Sequence, residues 1–202
     1  MAYNKKRRTT RKKKDLVETA HRLFLQEGIK AVTIGQLCVE ASASKATFYK
    51  YFTDKEGILS EMLDGVMQES KDKMEELIEQ SRKHGMTEEM LLKIFDMKEY
   101  ESFFQSSFLT ELMQDYPHVL ADYSSRGEKI VMPAFRELVE LAKAQGILRE
   151  NINIDFFMSY AISLRQMVAY RIQQGEDGPG SMTLEEYQTH FYDLFLYGIV
   201  KR

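Results

Sequence analysis

Residues 33–55 read T-I-G-Q-L-C-V-E-A-S-A-S-K-A-T-F-Y-K-Y-F-T-D-K, and this stretch holds three helix-start signals. Thr33 with Gln36 three residues on predicts a capping box, which satisfies two orphan backbone donors reciprocally. Ser44 is a good N-cap for a short helix reaching about Tyr51. Thr53 with Glu56 predicts a second capping box and opens a third helix. The segment between the first two helices, Glu40 to Ala43, is short and made of small residues apart from the glutamate. Two short helices across so tight a turn predict a helix-turn-helix, whose second helix can enter a DNA major groove.

The second helix, from Lys45 to Tyr51, has two unlike faces. Phe48 and Phe52 lie four apart and can bury together against the first helix, with Leu37 and Cys38. Lys45 and Tyr49 form another such pair, and Ala46 and Lys50 a third, pointing away from the phenylalanines. Two cations, a phenol and a side chain small enough for close approach make a groove-facing surface. Thr47 and Lys55 sit at its margins, where hydroxyl and ammonium groups suit phosphate oxygens. A solvated helix with ordinary aromatic packing is the bland alternative.

At this point the sequence resembles a known family. The stretch is similar to the DNA-binding domain of the tetracycline-repressor (TetR) family of bacterial regulators. That pattern is roughly T-x-x-x-I-A-x-x-A-G-V-S-x-G-T-x-Y-x-Y-F-x-x-K-x-x-L. It is met at Thr33, Ala41, Ser44, Thr47, Tyr49, Tyr51, Phe52, Lys55 and, one residue late, Leu59. Leu37, Cys38 and Ala43 are conservative changes. The turn glycine is replaced by Ser42, which puts a Cβ where φ > 0 is wanted, and the recognition-helix glycine is replaced by Ala46. The resemblance implies a DNA-binding set of Thr33, Ser44, Lys45, Ala46, Thr47, Tyr49, Lys50 and Lys55.

Bulk properties agree. The chain has 202 residues, with 44% hydrophobic and 29% charged, the balance of a soluble globular protein of one or two domains. One cysteine, Cys38, excludes an intramolecular disulfide and suits a reducing compartment; a buried structural thiol is expected. No apolar run approaches a membrane span, and no apolar segment follows the basic N-terminus as in a secretory signal. The formal net charge of −3 hides an asymmetry. Residues 1–60 carry 13 Lys and Arg against 6 Asp and Glu, while residues 61–202 carry 15 against 25. A basic module on an acidic body suggests that one end meets a polyanion. Lys5, Lys6, Arg7, Arg8, Arg11, Lys12, Lys13 and Lys14 form its sharpest part, expected to be disordered without a partner. This arm can track phosphates or reach a minor groove, or can serve as a solubilising tail.

Helical periodicity runs through the rest. Leu16, Val17, Ala20, Leu23 and Phe24 form one apolar stripe from about Arg11 to Gln26, ended by Gly28. A long helix from Lys55 to His84-Gly85 would span about 42 Å and can join head to body; the resemblance implies that it transmits ligand binding. Helices are expected over Thr87–Met97 and Lys98–Asp115, then from Pro117 to Gln145 with a division at Pro133, because proline lacks the amide donor. Asn153 or Asp155 starts another to Gln174, and Thr183 with Glu186 caps a final one to Val200. The expected fold is therefore all-α, about nine helices. Residues 1–60 would form the basic arm and three-helix DNA-binding domain, and residues 61–202 a helical ligand-binding and dimerisation domain.

The last two helices are apolar over wide arcs and must be covered on more than one side. Phe157, Leu164, Val168, Tyr187, Phe191, Leu194 and Phe195 are candidates for a homodimer contact, which the resemblance places in this helix pair; the chain's own body is the alternative cover. Twelve Met and 12 Phe suit an adaptable apolar ligand site, although such residues also build plain cores. Phe104, Phe108, Met113, Phe135 and Tyr160 are candidate linings. Arg165, a cation among apolar neighbours, can meet an anionic ligand, a carboxylate across a dimer, or water.

No phosphate loop, metal-ligand spacing or nucleophile elbow is present, and the four histidines are scattered, so no enzyme, metal or cofactor is expected. The expectation is a cytoplasmic, nucleoid-associated dimeric repressor. It would bind an operator in double-stranded DNA and be released by a small lipophilic effector, with no membrane partner. The alternative is a DNA-binding protein of the same fold that recruits a protein partner without an inducer.

Overall fold

Each element among the described residues is helical: α1 (Ala2–Glu27), α2 (Ile34–Glu40), α3 (Lys45–Tyr51), α4 (Lys55–His84), α5 (Ser107–Asp115), α6 (Pro117–Ile130) and α7 (Met132–Ala144). The structure, a computed structural model, describes residues 2–90, 107–157, 159–160, 186, 190 and 193, with side chains from residue 11 onward. These residues fall into two units, one of Met1–Gln68 with Ser106–Gly127, the other of Glu69–Gln105 with Glu128–Arg202.

In the first unit α1 turns one stripe inward: Leu16, Ala20, Leu23 and Phe24 are buried. Leu37 and Cys38 of α2, Phe48 of α3, Phe52, and Ile58, Leu59, Met62 and Leu63 of α4 are buried in the same unit, where α1 packs on α2 and α3. Phe108 and Leu112 of α5 join this set. Burial of each such leucine or phenylalanine stabilises the unit by about 1.5–3 kcal/mol. Gly28 ends α1 at φ +86, its N–H donating to Phe24 O at 3.0 Å. α5 lies so close that a Cβ on Gly28 would run into the Ser107 hydroxyl.

The turn after α2 keeps a glycine's geometry without the glycine. Ser42 N–H donates to Val39 O at 3.0 Å and Ala43 N–H to Cys38 O at 2.7 Å, the paired bonds of a Schellman end. Ser42 occupies the left-handed position at φ +48, a conformation that costs an L-residue about 1–2 kcal/mol.

In the second unit Ile78, Met86, Leu138, Val139, Leu148 and Phe157 form one buried cluster. Gln145 ties its backbone together: Oε1 accepts from Met86 N–H at 2.5 Å, and Nε2 donates to Ser81 O at 3.2 Å. Pro133 sits in the first turn of α7, so the apolar stretch from Pro117 is divided there as expected.

Four expectations are corrected. The basic arm is not disordered: α1 is helical from Ala2, since lysine and arginine are good helix formers and no proline or glycine interrupts them. The N-cap of α4 is Asp54, whose Oδ1 accepts from Gly57 N–H at 2.9 Å; the neighbouring carboxylate outcompetes Thr53, and Glu56 instead meets His118. The Thr33 box is half made. Thr33 Oγ1 accepts from Gln36 N–H at 3.1 Å, but the Gln36 amide donates to Glu27.

Phe157 is not an outward-facing dimer residue. It is 3% exposed and its ring stacks on Phe135, centroids 6.5 Å apart. Asn153 accepts from Phe156 N–H and so caps this helix, which phases Ile154 and Phe157 toward the core and leaves Phe156 72% exposed, stacked on Tyr160. The dimer candidates Leu164, Val168, Tyr187, Phe191, Leu194 and Phe195, the ligand candidates Phe104 and Arg165, and the expected helical stretch 91–106 lie outside the described residues.

Candidate nucleic-acid interface

α3 is seven residues long and has no acidic side chain. Ser44 starts it: Oγ accepts from Thr47 N–H at 3.1 Å and lies 2.9 Å from Thr47 Oγ1. Phe48 is wholly buried, with Phe52 against it at a centroid distance of 5.4 Å. That anchor fixes the rotation of the helix, and Lys45, Ala46, Tyr49 and Lys50 are all exposed. The Tyr49 ring stands edge-on to Phe48 at 5.5 Å, and Lys50 Nζ sits 5.5 Å from the Tyr51 ring centroid. An aromatic edge and a ring face thus limit where the phenol and the ammonium can go. The four side chains combine donors suited to base edges and phosphates with one small residue that permits close approach.

Thr33 and Ser44 are exposed hydroxyls at the N-termini of α2 and α3. Each accepts a backbone N–H; the Thr33 hydroxyl keeps its proton and a second lone pair, while the Ser44 hydroxyl also shares a hydrogen bond with Thr47 Oγ1. The structure therefore brings together seven of the eight candidate residues on the surface of α2 and α3.

Lys55 is the exception. Its Nζ donates to Ile29 O at 2.6 Å, Val32 O at 3.1 Å and Lys30 O at 3.3 Å. Three N–H groups meet three carbonyls, so this ammonium braces the α1–α2 loop and has no donor left for a phosphate. Burial pushes the Lys55 amine below its ordinary range, and the Glu111 carboxylate opposes that shift. The loop is held from a second side by α5: Lys30 N–H donates to Glu111 Oε2 at 2.7 Å, and Lys30 Nζ pairs with Asp115 at 2.8 Å. That bond to Asp115 raises the Lys30 pKa. Ser107, Glu111 and Asp115 recur every four residues, a polar stripe on a helix that buries Phe108 and Leu112. That spacing is the sequence signal for these braces, and residue-type reasoning about DNA contacts passed over it.

Further ion pairs tie the first unit together. Lys13 meets Glu61 at 2.5 Å, Arg22 meets Glu40, His118 meets Glu56 at 2.9 Å, and Arg126 meets both Asp64 and Asp122. Each is partly exposed and worth about 0–1 kcal/mol. Cys38 is buried, and burial pushes its thiol pKa up, which keeps it protonated and unreactive.

Comparison with known proteins bears on this geometry. The family model described as "Bacterial regulatory proteins, tetR family" matches residues 16–62, which span the buried half of α1, all of α2 and α3, and the start of α4. The helix-turn-helix segment of this chain is thus similar to the DNA-binding segment of that family. The chain is 40% identical over 53 residues to YuxN of Bacillus subtilis, an uncharacterised helix-turn-helix regulator; the match covers 26% of this chain and 18% of YuxN. It is 22% identical over 190 residues to KstR2 of Rhodococcus jostii, named a transcriptional repressor, with 92% and 89% of the two chains covered. A transcriptional regulator from Saccharomonospora viridis, solved in complex with choline, shares the TetR-like fold at a TM-score of 0.65. Its identity is 20%, and 94% of this chain and 98% of that one are covered.

The candidate ligand residues divide between the units. Phe108 is fully buried where α5 packs on α1, and Met113 is exposed in the same unit. Phe135 belongs to the buried cluster of the second unit, while Tyr160 is exposed there. Among the described residues no three His, Cys, Asp or Glu side chains cluster as metal ligands. No described helix is long and apolar enough to cross a membrane.

Proposed function

We propose that this chain is a dimeric, ligand-responsive repressor working in the cytoplasm on the nucleoid. The observation that carries the DNA contact is the exposed, acid-free face of α3, held in rotation by the buried Phe48. Lys45, Ala46, Tyr49 and Lys50 would face base edges, while Thr33, Ser44 and Thr47 would meet phosphates. A twofold dimer would set two such faces at the spacing of two half-sites. Leu164, Val168, Tyr187, Phe191, Leu194 and Phe195 would form its contact. A small lipophilic effector, held in the helical body, would favour a different spacing and lower DNA affinity by its differential affinity for the two states. The repressor name of KstR2 and the choline held by the S. viridis protein support this reading.

A gel-shift titration on a duplex spanning the chain's own promoter tests it. The full chain should shift that duplex in excess random-sequence competitor. Tyr49→Ala and Lys50→Ala should each weaken the complex by roughly 1–3 kcal/mol. Equal affinity of all three proteins would exclude this docking mode. Release by a lipophilic amine, a fatty acid or choline would identify the effector class.

A further inference from the structure

α1 begins well before the residues that it is seen to bury. It runs unbroken from Ala2 to Glu27, and among its residues with described side chains, from Arg11 onward, the first buried one is Leu16. The fourteen residues before the first acid, M-A-Y-N-K-K-R-R-T-T-R-K-K-K, carry eight cations. Lys12 and Lys13 show where this half of the helix crosses the motif. Lys12 Nζ donates to the carbonyl of Ala41, in the turn between α2 and α3, at 3.2 Å, and Lys13 Nζ pairs with Glu61 of α4 at 2.5 Å. The helix is thus pinned over the helix-turn-helix turn, and about ten of its residues continue past that point. At a rise of 1.5 Å per residue they extend about 15 Å, the length of four or five base pairs.

Residue propensity favours this extension as a helix, but its charge pattern opposes it. Arg7 with Arg11 and Arg8 with Lys12 are like charges at i,i+4, and each such pair disfavours a helix slightly. Cations in a first turn also oppose the helix dipole. A polyanion reverses the sign of both effects. The polyanion already at hand is the one that the adjacent motif would hold, and tethering makes that second contact effectively intramolecular.

We infer that residues 2–11 of α1 are a second DNA-contacting element, a helix that lies along the phosphate backbone flanking each half-site. It adds sequence-independent affinity and lengthens the footprint, while α3 does the reading. This rests on the DNA-binding reading above.

The test compares three proteins: the full chain, a deletion of residues 2–9, and a full-length variant with Lys5→Gln, Lys6→Gln, Arg7→Gln and Arg8→Gln. Glutamine is a good helix former, and both variants retain Leu16 onward, so melting temperatures should match. Binding is measured by fluorescence anisotropy on two unrelated 30-base-pair duplexes across a salt series. The slope of log K against log [salt] should become shallower by about 0.9 for each phosphate no longer neutralised, equally on both duplexes. Equal slopes for all three proteins would overturn the inference and leave the segment a solubility device. A full chain that bound neither duplex at low salt would overturn the DNA reading itself. Unchanged slopes with loss of binding to phosphatidylglycerol vesicles would assign the helix to a membrane surface, again against the inference.

Discussion

On the outer face of α3, Tyr49 and Lys50 hold their polar ends in solvent, steered only by aromatic neighbours. Five residues further on, Lys55 spends all three N–H groups on carbonyls of the loop from residue 28 to 33. α5 clasps the same loop through Glu111 and Asp115, with Gly28 packed against Ser107. One region keeps its hydrogen-bonding capacity unspent, and the other spends it internally. The difference separates two jobs that look alike in sequence. A lysine in a DNA-binding motif reads as a phosphate contact until its surroundings show whether its donors are free. The loop also ends at Thr33, the N-cap of α2, so the braces set where the motif begins.

The largest effect that sharpens this comparison is expected at Lys55. Lys55→Ala leaves three loop carbonyls without their donor, and hydrogen bonds to charged groups contribute roughly 1.5–3 kcal/mol each at most. Partial exposure lets water replace some of them, so we expect a loss of about 2 kcal/mol in thermal unfolding. DNA affinity should fall with the fold, but the salt slope should stay unchanged, because no phosphate is released. A salt slope shallower by about 1, with no loss of stability, would return Lys55 to the reading face.

Much of this region was legible in the sequence. Thr33 and Ser44 cap α2 and α3, Gly28 ends α1, and Pro133 divides the stretch after Pro117, all from local chemistry. Non-local choices were not legible. The acceptors of Lys55 lie 23 to 26 residues upstream, and no spacing rule links them. Asp54 and Thr53 are both competent caps, and only the backbone trajectory after α3 selects Asp54. Phe156 and Phe157 are alike in type, and the start of their helix at Asn153 decides which one enters the core.

A smaller effect is expected at the turn joining the two motif helices. Ser42→Gly relieves the left-handed strain at φ +48 but frees the unfolded chain. The net should be a gain of about 0.5–1 kcal/mol in chemical denaturation. The side chains on the outer face of α3 stay in place, so DNA preference should not change. A loss of stability would mean that the serine side chain holds this turn through a contact of its own.

In-vitro selection from a library of randomised duplexes tests the division between reading and bracing most directly. It would be run in parallel with the unmutated chain, Tyr49→Ala and Lys55→Ala. The unmutated chain should enrich a twofold-symmetric sequence. Lys55→Ala should enrich the same sequence at lower affinity. Tyr49→Ala, folded as stably as the parent, should enrich a different sequence or none. Recovery of the parental sequence at parental affinity by Tyr49→Ala would contradict the account, as would an altered sequence from Lys55→Ala.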